Sequence, residues 1–144
     1  MSIHENLLEK WHKCRERRYP ILIIIKAPLD AEFSSPFLED FASTIKAKVL
    51  NFQEIYKGRL DQFFTWQSIR DELYTAANTQ PIIVTELEPL YAKWPVNERL
   101  QFLRNLLRSS PQNSIILIIH CQEDLSELLA IEENNRGMIW APSY

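Results

Sequence analysis

Ile21-Leu22-Ile23-Ile24-Ile25, followed by Lys26-Ala27-Pro28-Leu29-Asp30-Ala31-Glu32-Phe33-Ser34-Ser35-Pro36, is the stretch on which the reading of this chain turns. A continuous, mostly β-branched apolar run predicts a strand covered on both faces, since a strand with one wet face would alternate apolar and polar residues. The loop from Ala27 to Ser35 ends in a helix start, with Ser35 as cap and Pro36 at the first helical position. Phe37, Phe41 and Ile45 then recur at helical spacing.

Outward from this strand-loop-helix unit the same alternation continues. Before Pro20, residues 3–18 set Ile3, Leu7, Leu8, Trp11 and Cys14 on one face of a leading amphipathic helix. Lys48 to Phe52 reads as a second strand, and 60–77 as a helix presenting Leu60, Phe63, Phe64, Ile69, Leu73 and Ala77. Pro81 to Thr85 is a third strand ending at Glu86. Pro95 opens a helix through Val96, Leu100, Leu103, Leu106 and Leu107. Ser114 to Cys121 encloses a fourth apolar strand, a short helix follows over 124–131, and Met138-Ile139-Trp140 is the last strand. Uninterrupted apolar strands alternating with helices imply a mainly parallel five-stranded sheet in a three-layer α/β/α domain. The expected organisation is one domain over 1–144, with leading helix 3–18 and α/β core 20–144.

Composition narrows the function. Hydrophobic content of 46% with 24% charged residues is that of a globular chain, which argues against disorder. No apolar run approaches the roughly 20 residues that span a bilayer, and Met1-Ser2-Ile3-His4-Glu5-Asn6 does not read as a signal peptide. Cys14 and Cys121 are too few for a disulfide framework, so a reducing cytoplasmic setting is expected. A net charge of -3 opposes a nucleic-acid surface over the whole molecule. Charge is nonetheless uneven: Lys10, Lys13, Arg15, Arg17 and Arg18 crowd one short segment, and Glu123, Asp124, Glu127, Glu132 and Glu133 another. Such runs are most often solvated helix faces, with contact to an acidic partner or DNA as the alternative.

The opening unit stands where a phosphate-binding loop would. Set against GxxxxGK[ST], residues Ala27 to Ser34 match only at Ser34; both glycines are missing and Phe33 occupies the lysine position. Glycines let backbone N–H groups approach the phosphates, and the lysine balances their charge. Asp30 and Glu32 bring negative charge instead, and the chain holds only Gly58 and Gly137. Ile82-Ile83-Val84-Thr85-Glu86 echoes the acidic-ended strand that handles magnesium in phosphoryl transfer, although Glu86 and Glu88 could equally open a loop to solvent. His120, ending the fourth strand, is a sensor-like or a structural histidine. The histidines and cysteines have no metal-ligand spacing, and no nucleophile elbow is present. We therefore expect no metal, no cofactor and no catalytic residue, with Ser34, Glu86 and His120 as positions of a degenerate nucleotide site. Trp94, between Lys93 and Pro95 in an expected loop, is the candidate interface anchor, the other tryptophans being core.

The order of elements resembles the small P-loop proteins of BREX phage-defence systems. The resemblance is carried by Ile83-Val84-Thr85-Glu86-Leu87-Glu88-Pro89-Leu90-Tyr91, the helix Leu100-Gln101-Phe102-Leu103-Arg104-Asn105-Leu106-Leu107, the strand ending Ile119-His120-Cys121, and the tail Ile139 to Tyr144. It implies a P-loop NTPase-like fold of RecA/AAA type and a place in a multi-protein, DNA-directed complex. Against that family's pattern the phosphate loop is degenerate here, and Glu86 alone maps onto a functional position. The expectation is a non-catalytic interaction protein with protein partners, homo-oligomeric contacts among them. One alternative is a divergent ATPase completed by Arg99, Arg104 or Arg108 of a neighbouring subunit. The other is a DNA-binding accessory protein using its basic first helix.

Overall fold

A computed structural model describes residues 3–26, 33–120, 124, 126, 127, 130 and 137–141. The elements in chain order are α1 (Ile3–Arg15), β1 (Ile21–Ile25), α2 (Ser35–Ile45), β2 (Lys48–Asn51), α3 (Phe52–Ile55) and α4 (Trp66–Ala76). They continue with β3 (Ile82–Thr85), α5 (Glu88–Tyr91), α6 (Val96–Leu107), β4 (Ile115–Ile119) and β5 (Met138–Trp140). All neighbouring strands pair in parallel, in the order β2-β3-β4-β1-β5. The apolar runs that predicted two-sided strands are buried throughout β1, β3 and β4.

Alternate strand residues feed two cores. On one face Leu22, Ile24, Ile83, Ile116, Ile118 and Met138 meet Leu7, Trp11 and Cys14 of α1 and Leu38, Phe41 and Ile45 of α2. On the other, Ile23, Val84, Leu117 and Ile139 meet Trp66, Ile69 and Leu73 of α4 with Phe102, Leu103 and Leu106 of α6. A step back along the sheet from β1 to β2 and steps forward thereafter require helices on opposite faces, because parallel crossovers are right-handed. The sheet is thus a three-layer α/β arrangement.

Several boundaries move, each for a local reason. Helix α2 is capped by Ser34, not Ser35: its Oγ accepts from Phe37 N at 3.4 Å, and Pro36 falls inside the first turn. Asn51 Oδ1 accepts from Glu54 N at 3.2 Å, so Phe52 leaves the second strand and starts α3. The helix expected over 60–77 starts only at Trp66, where Thr65 Oγ1 accepts from Ser68 N at 3.2 Å. Phe63, read as core, is 59% exposed in the preceding turn, whereas Phe64 packs edge-on to Tyr56. The leading helix stops at Arg15, and 16–19 form turns into β1. The expected loop after β3 contains α5. Half of the expected helix 124–131, and the phosphate-loop segment 27–32, lie outside the described residues.

Candidate functional site

In an open parallel sheet, ligands sit beyond the carboxyl ends of the strands, where neighbouring strands lead their chains apart. Here that point lies between β1 and β4: the chain leaves β1 for the far edge at β2, and leaves β4 for β5 on the opposite side. A cleft of about 500 Å³ opens close by, lined by Lys26, Gln53, Glu86, Glu88, Pro89 and His120.

Each wall has a local cause. Lys26 N donates to Ile119 O at 3.0 Å, carrying the β1–β4 ladder one residue past the strands and fixing the start of the Lys26 side chain. Glu86 has φ 59, a left-handed conformation that only glycine enters without cost. That bend turns the chain from β3 into α5 and sets Glu86 on the cleft wall. Glu88 Oε1 accepts from His120 N at 2.9 Å, tying the start of α5 to the end of β4. His120 Nε2 is buried with no hydrogen-bond partner among the described residues. Among the described residues that line the cleft, the carboxylates of Glu86 and Glu88 outnumber the ammonium of Lys26, a balance that disfavours a polyphosphate.

Glu86 and His120, two of the degenerate nucleotide-site positions, are therefore brought together. Ser34 is not part of the lining, and its hydroxyl caps α2. Phe33, at the lysine position of the motif, is 5% exposed and packs edge-on to Phe37 at 5.9 Å and Trp140 at 6.4 Å. The residue is part of the core beneath α2.

Trp94 requires a correction. It is 2% exposed rather than an exposed anchor, because its indole Nε1 donates to Phe64 O at 2.7 Å and its ring packs on Tyr91 and Phe102. Lys93 closes the same corner with hydrogen bonds to the carbonyls of Leu60 and Gln62. Among the described residues, the exposed large apolar side chains are Ile55, Phe63 and Val96.

The basic segment is arranged along and beyond α1. Lys13 pairs with Glu9 at 3.0 Å on the exposed face, Arg15 lies over the Trp11 ring at 4.7 Å and Arg18 over Tyr19 at 5.4 Å. Lys10 is half-buried, and Arg15, Arg17 and Arg18 are exposed. Trp11 Nε1 donates to Ser114 Oγ at 3.0 Å and pins the helix to the start of β4.

One buried polar group escaped the sequence reading. Asp124 is 2% exposed; its Oδ2 accepts from Tyr91 Oη at 2.7 Å and lies 3.4 Å from Arg99 Nε, an ion pair without hydrogen-bond alignment at that nitrogen. Arg99 is therefore engaged with Asp124 of its own chain. Nothing in the linear pattern signals a contact between residues 25 and 33 positions apart. Cys14 is buried, and burial pushes its thiol up to about 12, with Arg17 opposing the shift. Among the described residues no group of His, Cys, Asp and Glu is arranged to hold a metal ion, and no helix is long and apolar enough to cross a membrane. Compared with models of known protein families and with curated proteins, the chain matches none.

Proposed function

We propose that this chain is a non-catalytic, P-loop-like (RecA/AAA-like) interaction protein: a cytoplasmic scaffold in a multi-protein complex of the phage-defence kind its sequence resembles. The observation that carries the reading is Phe33. A nucleotide-binding loop presents a lysine to the β- and γ-phosphates at this position. Here the side chain is buried against Phe37 and Trp140. Ser34, the one matching residue, serves as a helix cap. Support for protein partners comes from Ile55, Phe63 and Val96, apolar side chains left 42%, 59% and 54% exposed.

The cleft at the carboxyl ends favours one rival, a divergent nucleotide switch in which Glu86 and His120 still face a ligand. Titration calorimetry with ATP and magnesium on the intact protein and on Glu86→Gln separates the two. No saturable heat at high micromolar ligand is expected. Saturable binding, lost or altered in Glu86→Gln, would overturn the scaffold reading and install the switch.

A further inference from the structure

The other end of the sheet carries a surface that the linear sequence conceals. Lys48, Ile82, Ile115 and Ile21 stand opposite one another in register, so β2, β3, β4 and β1 begin level. The turns that precede them, 46–48, 78–81, 108–114 and 16–20, therefore share one end of the molecule. In these four turns the charged residues are Lys46, Lys48, Arg108, Arg17 and Arg18, with Glu16 the sole acid, and all six are exposed. Lys46 and Lys48 lead into the edge strand β2, and Arg17 and Arg18 lead into β1, three places away. At a strand spacing of about 4.8 Å, the row is roughly 14 Å long.

The turns are laced together. Lys48 N donates to Pro81 O at 3.0 Å, Asn113 N and Nδ2 both donate to Ala77 O, and Ser110 Oγ donates to Arg18 O at 2.9 Å. The charges thus ride on a rigid base, which lowers the ordering cost of binding. Between them lies a cavity of about 430 Å³ lined by Tyr74, Asn78, Ser109, Ser110, Pro111 and Gln112, hydroxyl and amide groups of the type that hydrogen-bonds phosphate oxygens.

We propose that this end of the sheet binds the phosphodiester backbone of duplex DNA. A long, regular polyanion matches a level row of cations; duplex DNA offers one charge per roughly 1.7 Å of axis. A second copy of the chain is a poorer match, because its opposite end mixes Lys26, Lys57, Arg59 and Lys93 among Glu54, Glu86 and Glu88. The surface also differs from binding by the first helix alone, since it enlists Lys46, Lys48 and Arg108 from distant segments. It is independent of the scaffold reading, and calorimetry with ATP leaves it untouched.

The test is fluorescence anisotropy of the intact protein with a labelled duplex of about 20 base pairs, at about 50 and 200 mM salt. Saturable binding is expected at the lower salt, weakened about a hundredfold at the higher, as four phosphate contacts require. Arg17→Glu/Arg18→Glu and Lys46→Glu/Lys48→Glu should each weaken binding at least about tenfold, while Lys10→Glu/Lys13→Glu changes it little. Urea midpoints verify folding, and the alanine versions of the same pairs replace any variant that does not fold. Absence of binding at low salt overturns the proposal. So does loss through Lys10 and Lys13 with Lys46 and Lys48 indifferent, which would assign binding to the helix. Equal affinity for polyglutamate would assign the surface to an acidic protein and overturn it too.

Discussion

At the amino ends of its strands the sheet starts level and its turns are laced by hydrogen bonds, whereas at the carboxyl ends it opens into a cleft lined by Glu86 and by His120, whose Nε2 has no hydrogen-bond partner among the described residues. The closed end contains Gly137, where an added Cβ would lie 2.8 Å from Ile21 O and 2.9 Å from Leu107 Cδ2. Among the described residues each end holds one non-glycine residue in the left-handed region, Lys46 at φ 58 and Glu86 at φ 59, but at the open end Glu88 bridges two elements through a single hydrogen bond. One end is thus specified by sterics and backbone lacing, and the other by a few polar side chains. Changes to the packed and laced groups of the first should act through stability, and changes at the second through individual contacts.

The largest expected effect tests whether the open end depends on so few groups. Asp124→Ala leaves Tyr91 Oη and Arg99 without their shared carboxylate in a buried setting, and should cost about 3 kcal/mol by urea denaturation. A loss under about 1 kcal/mol would mean that Asp124 is not the pin of that end. Gly137→Ala comes next, at about 2 kcal/mol, because both close neighbours belong to packed elements and one is backbone. An unchanged midpoint would show that the amino end yields more than its packing implies.

Ser34→Ala should cost about 1 kcal/mol as the loss of a helix cap, with no effect on calorimetry with ATP and magnesium. Glu86→Gly has the opposite sign: releasing a non-glycine residue from positive φ should raise stability by up to about 1 kcal/mol. A fall instead would mean that the Glu86 side chain makes contacts that outweigh its strain. The smallest effect concerns Cys14. Its pKa in the fold, about 12, lies above the ordinary thiol value of 9.0, so the unfolded chain releases the thiol proton first as pH rises. The contribution is fully present below pH 9.0 and is lost progressively towards about pH 12. In a Cys14→Ala background that part of the pH dependence should vanish, and in the parent a thiol reagent near neutral pH should react with Cys14 only after denaturation.

Much of the fold was legible because covering a strand on both faces demands an unbroken apolar run. Ile21–Ile25, Ile82–Val84 and Ile115–Ile119 announced themselves on that ground, and their parallel pairing followed from the helices between them. Boundaries were less legible, since Ser34 and Ser35 are equally competent caps and only the backbone geometry chooses between them. Trp94 and Phe63 were misread for a related reason. Within a connecting segment, exposure depends on which carbonyl an indole can reach, and Phe64 O lies thirty residues away in the chain.

The sequence by itself determined the α/β class, the all-apolar strands and the absence of a glycine-rich phosphate loop, because these rest on residue chemistry over short windows. Tertiary structure decided the strand order β2-β3-β4-β1-β5, the meeting of Glu86 with His120, the burial of Phe33 and the Tyr91–Asp124–Arg99 group. It also decided that Lys46, Lys48, Arg108, Arg17 and Arg18 share one end. Register is the physical reason: pairing aligns strand starts to within a residue, and nothing in a linear reading says which distant turns it will bring level.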